Sequence, residues 1–584
     1  MALDLTPEQK AAGKANFEQA AGDLARAGKM NSMVTGGTPV NPDQPDRRDV
    51  LKAGLAAGAV VPVSAAVYFG YNSWKGNRAV RTALIGTGDE GGVLVGDHNP
   101  EFNEIVAVCD IRPTNLDRIF EGEKAGPRKG LNNIYGKESA KGIARYDNVG
   151  TLLADAKKLG LEAVVIATPL HTHDTIAKQC MDAGLHVLSE KLMARTIGKC
   201  KEMTRYAKDK GLLLAVGHQR HYSTLYAQAL EVLQSGILGD VKHIRAQWPR
   251  NNSWPFSASA ADKAKFATGN DINGKPFDIP FYRDGWCKPV LAADAEPFLK
   301  EPDRLKALGY DSITELVRWR LYEKTGGGLM AELGSHQLDA ASIILGHVHP
   351  LAVSGVGGKF FYGPGRNDRE SDDGVFVTYE FPGPNHPKAH KGGKDESDVV
   401  VVMYSSFNTN SFEDYGECVM GSRGTMIISK EADVYLYKEP QPGKAASGGR
   451  DTKVTVTGAG GGKPAMEATS TWGGGGGAAI SKAPGASAWE TPVRGYRTEM
   501  EHFAFCVREW QKRGGKVDYS KNDKGEFVHK DIIPKCHGEV AMADAILALT
   551  ANMAMDKKER IVFEDAWFDS TKDDVPETKH AKKA

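Results

Sequence analysis

The sequence predicts an α/β protein with two unlike sheets: a doubly wound parallel sheet first, then an α/β domain whose sheet is mostly antiparallel. Three observations carry this. Residues 78–220 alternate strand-like and helix-like runs, the pattern of βαβ crossovers. Within them Ala163–Thr168 (AVVIAT) is apolar throughout, as a strand covered on both faces must be. From about residue 240 strand-like runs follow one another without intervening helices. The expected organisation is a leader with an export segment over 1–75, a first domain over 78–220 and a second over 221–570. Mobile insertions are expected near 386–397 and 441–488.

The elements follow in chain order. Residues 1–46 are polar and rich in Ala and Gly, and are expected to be disordered. Arg47-Arg48, followed by Leu51-Lys52 and an uncharged run from Ala53 to Trp74, resembles a twin-arginine export signal. The partner implied is the twin-arginine export machinery, the destination is the periplasm, and Val63-Ser64-Ala65 offers a cleavage point. An uncleaved membrane anchor is the alternative, since the run is long enough to span a bilayer. Ala79–Ile85, Glu104–Cys109, Leu185–Ser189 and Leu212–Val216 read as further strands. Thr175–Ala183 and Thr196–Lys210 read as helices, stopped by Gly184 and Gly211. In the second domain Val241–Trp248, Gly374–Phe381, Val399–Ser406 and Gly424–Ser429 read as strands. His386–Ser397 is charged and Gly-rich, and Gln441–Ala488 is of low complexity.

Composition removes some function classes. Lys+Arg and Asp+Glu both total 74, a balance that argues against a nucleic-acid binder. The seven cysteines show no CxxC and no pairing rhythm, so neither a disulfide scaffold nor a zinc ribbon is indicated. No His/Cys/Asp spacing of a familiar metal-binding kind appears, and no metal is expected.

Gly86-Thr87-Gly88-Asp89-Glu90-Gly91 is a GxGxxG run directly after a strand and before a helix. Gly86 permits the tight turn, Gly88 lets backbone approach a pyrophosphate, and Gly91 permits close helix–strand packing. This is the dinucleotide-binding signature of a Rossmann domain. Asp110 closes the second strand 24 positions beyond Gly86, close to the spacing of a ribose-binding carboxylate. Asp110 favours NAD, while Arg112 beside it leaves NADP open. Asp89 and Glu90 would repel phosphates and are expected to point outward. Polar residues also follow the other strands: Pro169-Leu170-His171-Thr172-His173, Glu190-Lys191 and His218-Gln219-Arg220. Ligands of open α/β sheets bind beyond the carboxyl ends of the strands. Pro169, His173, Glu190 and Lys191 are therefore cofactor-side candidates. His171 and His173 have the alternative of capping the next helix. Arg220 and Tyr222 either touch substrate or brace the domain junction.

The successions VVIATPLHTHDTIAKQCMDAGLHVLSEK, VGHQRHYS, LQSGILGDV and TGGGLMAELGSHQLDAASIILG resemble the Gfo/Idh/MocA oxidoreductases, the glucose-fructose oxidoreductase and inositol dehydrogenase family. The resemblance implies a Rossmann domain joined to an open-faced α/β domain, acting on sugars, polyols or related alcohols. It places a lysine near the nicotinamide at Lys191, although the proline of the family's EKP motif is Leu192 here. It places the catalytic acid and histidine at Glu332 and His336, where the acid is commonly Asp. If Met330–Leu345 is one helix, Glu332, His336 and Asp339 share a face. His336, alone or with Lys191, would take the hydroxyl proton, and Lys191 would stabilise alkoxide charge. A homo-oligomer, dimer or tetramer, is expected, with the cofactor tightly held. The competing readings are an NAD-dependent glycosidase, which the Glu190-Lys191 pair disfavours, and a non-catalytic cofactor-binding protein.

Overall fold

The computed structural model describes residues 5–26, 65–74, 76–249, 258–277, 285–363, 369–407, 415–438, 454–459, 463–468, 494–522 and 527–580. The chain begins with a helix, α1 (Pro7–Arg26). The first sheet is built from β1 (Val80–Ile85), β2 (Asn103–Cys109), β3 (Ala144–Tyr146), β4 (Ala163–Ile166), β5 (His186–Glu190) and β6 (Leu214–Gly217). Its order is β3-β2-β1-β4-β5-β6 and every pairing is parallel, the Rossmann arrangement. Crossover helices include α2 (Asp89–Asp97), α3 (Pro113–Glu121), α4 (His173–Asp182) and α5 (Ile197–Lys210). Local sequence sets the ends of α5: the Thr196 hydroxyl caps the Lys199 N–H, and Gly211 ends it in the left-handed conformation.

After α6 (Thr224–Gln234) the second sheet begins with β7 (Val241–Gln247). α7 (Ala292–Lys300) and α8 (Ser335–Leu345) come before β8 (Ala352–Gly358), β9 (Gly374–Pro382), β10 (Val399–Phe407), β11 (Gly416–Gly421), β12 (Gly424–Ser429) and β13 (Asp433–Lys438). Its order is β13-β12-β11-β7-β10-β9-β8, extended by a two-residue strand at Ile561–Val562. All pairings are antiparallel except β7 with β10. One face packs on α8 through Ile244, Val402, Tyr404 and Met426, so these strands alternate buried and open residues.

Several expectations need correction. The leader is not featureless. Gly13, Phe17, Ala20, Ala21 and Leu24 recur at helical spacing, and small residues let α1 lie close against edge strand β13. Asn16 Nδ2 donates to Leu436 O at 3.0 Å, and the Tyr437 hydroxyl donates to Gln9 O at 2.9 Å. The end of the apolar run also belongs to the folded body: Tyr71 bonds Glu501 and Trp74 stacks on Phe102. Residues 78–220 alone do not close the Rossmann sheet either. α9 (Tyr496–Lys512) returns to cover the Rossmann sheet, packing Met500, Phe503, Ala504 and Val507 on Val80, Leu84 and Leu213. α10 (Gly538–Lys557) then packs against both α5 and β8. The 386–397 segment is pinned rather than loose: Asp398 takes the Asn385 N–H and the Lys242 ammonium, and His390 reaches Gly346 O at 2.6 Å. Of the 441–488 insertion the structure describes only a hairpin, β14 (Val454–Ala459) with β15 (Lys463–Ala468); its remainder lies outside the described residues. Arg47, Arg48 and Val63-Ser64 lie outside them as well.

Candidate active site

A cavity of about 1300 Å³ opens beyond the carboxyl ends of the Rossmann strands. Gly86, Gly88, Asp110, Arg112, Pro169, Glu190, Lys191, Glu332 and His336 all line it. Two predicted members do not. Gly91 lies beneath the loop, where a Cβ would run into the carbonyl oxygen of Gly86. That is the close packing expected of the third glycine. Gly86 itself has φ +92°, and a Cβ there would meet the Ala167 carbonyl. Above Gly88 the nearest atom to a Cβ is Asn115 Nδ2 at 3.8 Å, so this backbone faces open space that a phosphate can enter. The other absentee is His173. Its ring spans Leu192 O at 2.9 Å and Thr168 O at 2.8 Å, so it ties two strand-end loops together. His171 lines the cavity in its place, edge-on to Tyr310, and burial pushes its ring down to about 4.

Asp110 sits at the tip of β2 but already holds the loop. Its carboxylate accepts the Thr87 N–H at 2.8 Å, the Arg112 N–H at 2.8 Å and Asn115 Nδ2 at 3.1 Å. Burial raises its pKa in spite of these donors. Arg112 is committed elsewhere, since Nε and Nη2 both bond Asp294 Oδ2, at 3.0 and 2.7 Å. Asp294 is fully buried on α7, so the second domain takes up the charge that a 2′-phosphate would need. Asp89 and Glu90 do not point outward; both line the cavity. Burial alone would raise Asp89, but Lys288 and Arg118 hold its carboxyl far below the usual range. Glu90 is pushed upward by burial.

The reacting end is assembled across the domain junction. Glu190 ends β5, and burial together with the nearby Glu90 pushes its carboxyl up to about 8. Gly217 on neighbouring β6 leaves room for it, since a Cβ there would come within 2.9 Å of that carboxyl. Lys191 follows, with the peptide to Leu192 cis. Its Nζ donates to Glu332 O at 2.8 Å, which draws the second domain onto the first and leaves two N–H groups for other partners. The Glu332 carboxylate is engaged by Arg320, whose Nε lies 2.7 Å from Oε2. His336 is buried, its ring 5.3 Å from Trp248, and Nδ1 has no hydrogen-bond partner. Burial, then the Lys191 and Arg220 cations, hold it well below the ordinary imidazole range. The ring is therefore neutral and can accept a proton.

The helix carrying these residues is not uniform. Met330–Gly334 forms a π-turn that leads into α8. A wide turn of this kind alters the register of the face it starts. Glu332 and His336 line the cavity, but Asp339, one turn farther along α8, does not and meets His221 instead, at 2.6 Å.

Residues 80–218 match the family model described as "Oxidoreductase family, NAD-binding Rossmann fold", and residues 307–427 match the GFO/IDH/MocA C-terminal domain. Both matches are to the GFO/IDH/MocA oxidoreductases. Among curated relatives, inositol 2-dehydrogenase 1 of Saccharopolyspora erythraea is 37% identical over 162 residues, 28% of this chain and 43% of that protein. A glycosyl hydrolase family 109 protein of Stenotrophomonas maltophilia is 27% identical over 248 residues, 41% of this chain and 48% of that protein. The chain spans about half the length of the curated relatives it matches. An inositol dehydrogenase homolog of Azotobacter vinelandii, crystallised with NADH and myo-inositol, shares the fold at TM-score 0.50 and 15% identity, over 83% of this chain and 98% of that one.

The first domain matches an NAD-binding Rossmann model, and several residues around the cavity escaped the sequence reading. Arg320 pairs with Glu332, Lys288 with Asp89 and Asp294 with Arg112. Trp248, at the end of β7, stacks on Tyr415 at 4.4 Å to form an aromatic wall beside His336. Its position as the last residue of an expected strand was the one available signal. Arg220 proves to be a brace: fully buried, it bonds Glu417, Glu431 and Gln337 at 2.8 Å each. The Tyr222 hydroxyl likewise accepts the Cys536 N–H.

Proposed function

We propose that this protein is an NAD-dependent dehydrogenase acting on a CH–OH group of a sugar, polyol or related alcohol. The observation that carries the proposal is one cavity that joins the open backbone above Gly88 to Lys191, Glu332 and His336. The glycine loop and the tip of β2 fit a dinucleotide, which when bound supplies the hydride acceptor. Lys191 directs its free N–H groups at the reacting hydroxyl and stabilises the oxygen as negative charge develops. Neutral His336 accepts the hydroxyl proton at a ring nitrogen. Glu332, neutralised by Arg320, holds Lys191 through its carbonyl. Trp248 and Tyr415 offer a flat apolar wall to the C–H face of a ring. The capture of Arg112 by Asp294 favours NAD over NADP. A screen of sugars and polyols that reads nicotinamide reduction tests the proposal. A chain that binds NAD but oxidises none of them, and is not inhibited by any, would overturn it.

The relative in glycosyl hydrolase family 109 keeps one second reading in view, a glycosidase that oxidises its substrate transiently. It predicts sugar release from a glycoside with no net nicotinamide reduction.

Export by the twin-arginine route to the periplasm rests on Arg47-Arg48 before the uncharged run, and a double Arg→Lys change that leaves localisation unaltered would refute it. N-terminal sequencing of the exported chain separates cleavage after Ala65, which would remove α1, from retention as an anchor. Cofactor loaded before export would be retained and recycled in the site; near-stoichiometric dinucleotide released on denaturing the purified protein is the expected result. Val356, Phe376 and Met403 lie exposed on the open side of β8, β9 and β10, which supports a homo-oligomer, to be tested by light scattering.

A further inference from the structure

Behind the reacting end lies a second group of ionisable side chains that the chemistry above leaves unused. His218 follows β6 and His221 lies in the next turn, Asp339 is on α8, and Asp544 is on α10. Their side chains are 0%, 7%, 1% and 1% exposed, in that order. His221 Nε2 lies 2.6 Å from Asp339 Oδ1 and 3.9 Å from Asp544 Oδ2, while His218 Nδ1 lies 3.8 Å from Asp339 Oδ2. This leaves both ring nitrogens of His218, Oδ2 of Asp339 and both oxygens of Asp544 without a hydrogen-bond partner. One donor atom from each of His218, Asp339 and Asp544 lies within 4.8 Å of the others. His221, Cys536 and Asp544 form a second set of the same spacing that shares Asp544.

Buried polar atoms are almost always partnered, and buried carboxylates are paired or bound to metal. Here several such atoms converge with none. They stand too far apart for hydrogen bonds, and small side-chain shifts would close them on an ion with bonds of about 2.0–2.2 Å. Imidazole nitrogen with carboxylate oxygen suits a borderline cation such as zinc better than magnesium or calcium, which take all-oxygen sets. One oxygen of Asp339 is already taken by His221, the arrangement in which an outer partner orients a ligating group.

We propose that His218, Asp339 and Asp544 hold one divalent cation of the zinc type, with His221 supporting Asp339 from outside and Cys536 closing the far side. The ion would join three segments, the turn after β6, α8 and α10, directly behind His336, which lies one helical turn from Asp339. Its role is to position that helix, and the site stands whether or not the cavity is a dehydrogenase. The ligands come from three distant parts of the chain, so no spacing in the sequence could announce them.

The test is elemental analysis of the full-length protein, purified without a histidine tag or metal column and dialysed against metal-free buffer. About one equivalent of zinc, or of another first-row divalent metal, is expected per chain. His218→Gln and Asp544→Asn should each lower that content by about tenfold or more. Stripping the wild-type protein with a strong chelator should lower its Tm, and Zn²⁺ but not Mg²⁺ should restore it. That measurement decides the matter if neither variant folds. Wild-type protein that carries no metal and gains no Tm from Zn²⁺ would overturn the site. So would a full equivalent that survives in both variants.

Discussion

The two walls of the cavity are made by opposite means. Along Gly86–Asp110 the backbone does the shaping: glycines remove side chains where chains must touch, and Asp110 gathers the loop by accepting its N–H groups. Along the facing wall, side chains from separate segments do it: Lys191 on one domain reaches Glu332 on the other, and Trp248 and Tyr415 stack beside His336. A wall made of backbone fails by steric collision. A wall made of converging side chains fails by loss of chemistry while the fold persists.

The sharpest way to break this comparison is to remove the reacting groups. Lys191→Ala or His336→Ala should lower turnover by about 10²–10⁴-fold with NAD affinity nearly unchanged in a fluorescence titration. Near-wild-type turnover of the substrate found by the screen would remove that residue from the mechanism. Next in size, two glycines of the same loop should behave differently. Gly91→Val drives a side chain into the Gly86 carbonyl and should cost about 1–3 kcal/mol in thermal unfolding. Gly88→Val meets open space, so the protein should keep its Tm yet lose at least about tenfold in cofactor affinity, or about 1.4 kcal/mol. Equal Tm losses in both would show that the loop is not divided in this way. On the aromatic wall, Trp248→Ala should raise KM for the sugar roughly three- to tenfold, in line with about 0.5–1.5 kcal/mol for an aromatic contact. An equal change in NAD affinity would mean that Trp248 serves the cofactor instead.

A smaller effect sharpens the comparison through pH. Glu190 lies beside Lys191, and in the folded protein its carboxyl keeps a proton up to about pH 8, mainly because of burial. The unfolded chain releases that proton near the ordinary carboxylate value, so between the two values the folded state binds more protons. Stability from this group is complete below the unfolded value and is lost as pH rises through about 8. Glu190→Gln should flatten that decline in the cofactor-free protein, followed as Tm against pH. An unchanged slope would assign the decline to other buried carboxyls such as Glu417, which is pushed up to about 7.

Legibility in the sequence followed the same division. The glycine loop was readable because its function depends on residues a few positions apart, and the strand that must precede it is an unbroken apolar run. Lys191, Glu332 and His336 were reachable through the family resemblance, with a strand end and a helical spacing beside it. The position of His173 past β4 does not say which way its ring turns, and it turns toward Leu192 and Thr168, off the cavity lining. Asp339 follows His336 by one turn of α8, but helical spacing does not show where the cavity ends, and Asp339 is buried against His221 beyond it. α1 was missed because Gly13, Ala20 and Ala21 make a helix face of small residues, which a search for large apolar ones passes over.

By itself, then, the sequence determined the parallel sheet, the dinucleotide loop and the antiparallel character of the second sheet. Each leaves a local mark along the chain, in the period of its strands and the placement of its glycines, even where the strands it pairs are far apart. Only the tertiary structure decided that Asp294 takes Arg112, that α9 closes the Rossmann sheet, and that His218, Asp339 and Asp544 converge behind His336. Those pairings join residues far apart in sequence, and burial is what gives them their energy: a charge or polar group out of water must find whatever partner the fold brings within reach.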